Sequence, residues 1–120
     1  MEEIPNSKKY DLEERTFIFA ECCRNFVKLL PKTIANIEYS KQLIRSSGSQ
    51  AANYIEANEA LSKKDFSHRI KICRKESKES CLWLRLCEIN NNELMINREN
   101  LLKEAVELRK IFTSILNKSL

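Results

Sequence analysis

Asn53, Glu56 and Glu79 are the side chains whose types could form an acid/base cluster, and His68 is the single imidazole of the chain. A carboxylate with a displaced pKa beside an orienting amide can take and return a proton, which is the chemistry such a set would perform. Nucleophilic catalysis has less support, because no cysteine or serine is arranged around His68 and the one glycine builds no phosphate-cradling loop. Polar residues between packed helices more often form a satisfied hydrogen-bond network. Arg45, Ser49, Asn53, Glu56 and Glu79 therefore read as a structural network, with Arg69 as a further basic partner. Cys22, Cys23, Cys73, Cys81 and Cys87 are odd in number, fit no CxxC spacing and fall mostly on apolar helical positions. They read as small core hydrophobes in a reducing compartment, and a zinc site would need ligands from that scattered set and one histidine. The expectation is a protein that is not an enzyme, with no catalytic residue, no metal and no cofactor.

These side chains need elements to hold them, and one Gly and two Pro in 120 residues leave little punctuation for loops. Four long helices are predicted. The first runs from Asp11, which has capping-box spacing to Glu14, to Leu30 before Pro31, with Leu12, Thr16, Phe19, Cys23, Phe26 and Leu30 inward. The second starts near residues 32–34 and reaches about Ala60. Ser62 caps the third, with Asp65 three residues on, and that helix extends to about Ile89 before the Asn90–Asn91–Asn92 break. The fourth spans about Glu93 to Asn117, with Leu94, Leu101, Ala105, Leu108, Phe112 and Ile115 inward. Short connections between helices of this length predict an all-α, antiparallel up-down-up-down four-helix bundle over residues 11–120, preceded by a flexible segment at residues 1–10.

The second helix carries the smallest side chains of the chain in its middle. Ile44, Gly48, Ala51 and Ile55 recur at the spacing of one face, and an interior Gly costs about 1 kcal/mol against Ala. The expectation is that this face packs closely against a neighbouring helix.

Steps of 100° sort the third helix into three sectors. Phe66, Ile70, Cys73, Ser77, Leu84 and Cys87 form the core stripe. Roughly opposite lie Lys64, His68, Lys71, Lys75, Lys78 and Arg85, a basic face without an acidic residue, open to two readings: a solvated surface, or a site for nucleic acid. The third sector holds Ile72, Trp83 and Leu86 around Glu76 and Glu79. A second apolar stripe with the only tryptophan suits a subunit interface, whereas the alternative is a widened core stripe.

The net charge of +4 is concentrated: residues 61–90 hold eight basic against four acidic side chains, while the other thirty-residue blocks are close to balance. MEEIPNSKKY is polar with no apolar stretch after it, and no run of about 18 apolar residues could span a bilayer. A cytoplasmic location without membrane association is expected.

The ordered combination of Ser46, Ser47, Gly48 and Ser49, then Asn53 and Glu56, then Asp65 and Phe66, then Glu79 before a leucine-rich segment resembles the four-helix-bundle family encoded in intervening sequences of bacterial 23S ribosomal RNA genes. Leu29, Leu30 and Pro31 also suit that pattern, and the resemblance covers the chain from about Phe19 on. It implies a ring-like homopentamer of four-helix bundles with a basic surface or channel that engages RNA or DNA. A relative serves a reverse transcriptase of diversity-generating retroelements as accessory subunit, which makes such an enzyme a candidate partner. Many relatives carry Gly where this chain has Ala57, so the second helix is expected to continue farther here. Together these readings describe a non-catalytic oligomeric accessory protein that binds nucleic acid through the basic face of the third helix. The alternative is an adaptor subunit that docks a protein such as a polymerase.

Overall fold

The computed structural model describes residues 11–118, so the segment expected at residues 1–10 lies outside the described residues. Four α-helices and no strands make up the described chain. Helix α1, Leu12–Leu29, starts where the Asp11 carboxylate accepts the Glu14 N–H at 2.8 Å, and it stops where Leu30 turns extended before Pro31. Helix α2, Ile34–Asn58, is capped by Thr33, whose hydroxyl accepts the Asn36 N–H at 3.0 Å. Helix α3, Lys63–Leu86, is capped by Ser62, which accepts the Asp65 N–H at 3.0 Å. Asn91 accepts the Leu94 N–H at 2.8 Å at the start of α4, Asn92–Lys118. Among the described residues no helix is long and apolar enough to cross a membrane.

The expected ends agree with these bounds to within a few residues, and α2 does continue through Ala57, which is buried. The largest difference is at the end of α3, expected near Ile89 and found at Leu86. The reason is tertiary. Asn36, buried on α2, accepts the Glu88 N–H at 2.7 Å and donates through Nδ2 to the Glu88 carbonyl at 3.0 Å, which holds that backbone out of the helix.

Each helix packs against its neighbours in the chain, and α1 also packs against α4, so the four surround one core. Phe19, Phe26, Leu43, Ile70, Leu84, Leu101, Leu108 and Phe112 are fully buried in it. On the outer side of this core Arg15 of α1 grips Glu104 of α4 with two hydrogen bonds of 2.9 Å. All five cysteines are buried, and none is in a disulfide. Burial pushes the Cys73 thiol up to about 12 and Cys87 up to about 11, which keeps both protonated near neutral pH.

The close-packed face of α2 is not the expected one. Gly48 is exposed, a Cβ built on it meets nothing within 4 Å, and Ile44 and Ile55 are 47% and 49% exposed. The buried face is Leu43, Ser46, Ser47, Gln50, Ala51 and Ala57, and Ala51 alone of the expected set belongs to it. Both sets recur at helical spacing, only about 100° apart, and the small residues do serve close approach through the serines rather than through glycine. Ser46 and Ser80, both buried, meet oxygen to oxygen at 2.8 Å across the α2–α3 seam. Ser80 also donates to the Glu76 carbonyl at 3.0 Å, so the hydroxyls are satisfied and the helices approach without large side chains between them.

Candidate nucleic-acid interface

Three of the six basic-face residues expected on α3 open onto one cleft. Lys71, Lys75 and Lys78 stand at i, i+4 and i+7, all exposed, with the half-buried Arg74 beside them. Their outward direction follows from the opposite stripe, since burying Ile70, Cys73, Ser77 and Leu84 turns the lysines to water. Helix α4 supplies the other wall. Arg109, Lys110 and Lys118 bring three more positive groups, and Val106, Thr113, Ser114 and Asn117 complete the lining of a cleft of about 1000 Å³. Seven cationic side chains and no carboxylate line this space.

Arg109 is half-buried at the wall, near Cys81. Burial pushes the Cys81 thiol up, and the charge and hydrogen bond of Arg109 oppose that shift, as does the charge of Arg85. The lysines are flexible point charges on extended stems, suited to phosphate contact without a demand on sequence.

Lys64, His68 and Arg85 are exposed on α3 but do not line the cleft. The sequence reading missed Arg74, Arg109, Lys110 and Lys118. A signal for the α4 wall was present: Val106, Lys110, Thr113 and Asn117 recur at i, i+4, i+7 and i+11 with no acidic residue among them.

The expected structural network forms in part and centres on a residue outside the expected set. Glu76, 6% exposed on α3, accepts from Arg45 at 2.8 Å, and Arg45 also reaches Glu79 at 3.2 Å. Burial opposes ionisation of Glu76, but hydrogen bonds with Glu79, Ser49 and Arg45 outweigh it and hold the carboxyl below its ordinary value. Glu79, which shares the hydrogen bond with Glu76 and feels its burial and charge, is held above. Asn53 donates to the Ser49 carbonyl at 2.9 Å and hydroxyl at 3.1 Å, and accepts from Arg69 at 3.0 Å. Glu56 does not join: it is exposed, and among the described residues it has no side-chain hydrogen bond or ion pair. Because Asn53 and Glu79 each serve different arginines and Glu56 points away, the three do not converge into an acid/base cluster.

The third sector of α3 is only partly uncovered. Trp83 is half-buried, packs against the core and stacks on Tyr39 of α2, with ring centroids 6.1 Å apart and planes 28° from parallel. Ile72 is half-buried and Leu86 exposed. More apolar surface is presented by α2, where Ile34, Ile37, Ile44 and Ile55 are all exposed.

The sequence model described as 23S rRNA-intervening sequence protein matches residues 8–114. A crystal structure of a protein of unknown function from the S23 ribosomal protein family of Bacteroides thetaiotaomicron is similar in fold, with a TM-score of 0.75 and 29% identity over 88% of this chain and 98% of that one. Comparison with curated proteins of known function finds no match.

Proposed function

The chain belongs to the 23S rRNA-intervening sequence protein family, and from that premise we propose that it is a non-catalytic accessory protein that binds nucleic acid through the α3–α4 cleft. The observation that carries this reading is the seven cationic side chains gathered around one open space with no carboxylate in the lining. Helix α3 rises about 10 Å from Lys71 to Lys78, a length along which one strand of a duplex presents about three phosphates. The protein acts as a ring-like homo-oligomer, a pentamer, of antiparallel bundles in the cytoplasm. Repetition of the cleft around a symmetry axis turns a modest charge per subunit into a strong field.

Binding of labelled hairpin RNA and duplex DNA, followed by fluorescence anisotropy over a salt series, tests the reading. Affinity should fall with a log–log slope of about −0.9 per duplex phosphate neutralised. Reversing Lys71, Lys75 and Lys78 together to Glu should weaken binding to all sequences alike and leave helicity unchanged. Absence of binding at about 100 mM salt, or undiminished binding by the triple variant, overturns it. Light scattering tests the assembly: a mass several times 14.1 kDa is expected, lowered by Trp83→Ala or Leu86→Glu.

A protein-binding adaptor, with a polymerase such as a reverse transcriptase as partner, is the second reading. The exposed isoleucines of α2 favour it, since an apolar face of that kind suits a protein partner better than a phosphate backbone. Weak salt dependence of capture by such a partner, with no nucleic acid bound, would select it.

A further inference from the structure

The cationic groups of the cleft donate hydrogen bonds and accept none, and a phosphate accepts and donates none, so lysine and arginine alone would complete a phosphate groove. The α4 wall offers more. Thr113 and Asn117 stand one turn apart on the same face, beyond Lys110, with Ser114 next to them, and all three line the cleft. Each carries an oxygen that can accept as well as a group that can donate. In a cleft without carboxylates these are the side-chain acceptors available to a bound polymer.

Helical Ser and Thr hydroxyls ordinarily turn back onto a carbonyl of the preceding turn, as Thr16, Ser77 and Ser80 do here. Among the described residues Thr113, Ser114 and Asn117 have no such partner. Their hydrogen-bonding groups are open to whatever enters.

Resting on the nucleic-acid reading above, we infer that the cleft is selective for RNA over DNA, with Thr113, Ser114 and Asn117 as the specificity-determining residues that engage ribose 2′-hydroxyls. The chemistry matches term by term. The lysines take phosphate oxygens, while the 2′-hydroxyl, at once donor and acceptor, is the group that separates RNA from DNA at a shared backbone site. The lining holds no aromatic side chain on which an unpaired base could stack, so the backbone of a paired stem is what the cleft takes.

The test compares hairpins of one sequence made as RNA, DNA and 2′-fluoro RNA, the last keeping an A-form stem without the hydroxyl donor. Wild type should prefer RNA roughly tenfold over DNA, a ratio that one or two net hydrogen bonds supply. The 2′-fluoro hairpin should bind like DNA. The combined variant Thr113→Val, Ser114→Ala and Asn117→Ala should bind RNA only as tightly as DNA, while its circular dichroism spectrum shows the helices retained. Equal binding of RNA and DNA by wild type, full affinity for the 2′-fluoro hairpin, or an RNA preference retained by the variant each overturns the inference while leaving the cleft reading in place. Loss of all binding on reversal of Lys71, Lys75 and Lys78 supports the phosphate contacts separately, and a wild type that binds neither polymer removes both readings.

Discussion

Asn36 of α2 holds the main chain of Glu88 by both of its polar groups, accepting the N–H at 2.7 Å and meeting the carbonyl at 3.0 Å, with a third bond at 2.9 Å to the Pro31 carbonyl. One buried amide thus fixes two connections, the one after α1 and the one after α3.

Asn36→Leu should cost about 2 kcal/mol, because it removes both part-buried hydrogen bonds to the Glu88 main chain, whereas the Pro31 carbonyl keeps the Thr33 N–H at 3.0 Å. Chemical denaturation would read this as a lower midpoint with an unchanged slope. A midpoint within error of wild type would show that the two connections are held by other contacts.

Gly48→Ala should raise stability by up to about 1 kcal/mol, since the added methyl meets nothing within 4 Å and the helix gains propensity. Gly48→Leu should also leave the fold of the protomer intact. A drop of several degrees in melting temperature for either variant would reveal a neighbour covering that face in solution.

Glu76 and Glu79 should leave opposite marks on the pH dependence of stability. Glu76 has a depressed folded pKa, so its contribution is present above its ordinary value of 4.5 and is lost as pH falls through the folded value below that. Glu79 has a raised folded pKa, so its contribution is present below 4.5 and is lost as pH rises through the folded value. Glu76→Gln should therefore cost about 2 kcal/mol at pH 7 and much less at acid pH, the half-exposed Arg45 being able to rehydrate. Glu79→Gln should be neutral or stabilising by under about 1 kcal/mol at pH 7. Thermal melts of both variants at pH 7 and pH 4 check the signs, and a larger loss for Glu79→Gln at pH 7 would contradict them.

Lys110→Glu and Lys64→Glu should separate the cleft from the rest of the basic face. Lys110 lines the cleft and Lys64 does not. Titration over a salt series should show the Lys110 variant losing roughly one phosphate contact, a slope change of about 0.9, while the Lys64 variant keeps the wild-type slope. Equal losses would place the interface along α3 alone.

Helix number, two of the helix caps and the core stripes of α1, α3 and α4 were legible in the chain because they depend on local chemistry and on one period. Asp11 and Ser62 cap from the side chain to a backbone group three residues away, and Phe19, Ile70 and Leu108 lie on stripes that no other arrangement of those helices could leave in water. Lys71, Lys75 and Lys78 could be grouped for the same reason, since they share one helix face. What no single-helix period could decide was the choice between two faces of α2 that fit equally well, one with Gly48 and one with Ser46 and Gln50. That choice was made by partners on other helices: the Ser80 hydroxyl and the Thr16 carbonyl, which accepts from Gln50 at 2.8 Å. The α4 wall of the cleft has the same origin. Arg109, Lys110 and Lys118 became neighbours of the α3 lysines only when the apolar stripes of both helices were buried in one core, which turned two separate polar faces toward a common space. Local periodicity determines which residues share a face, and long-range packing determines which faces meet.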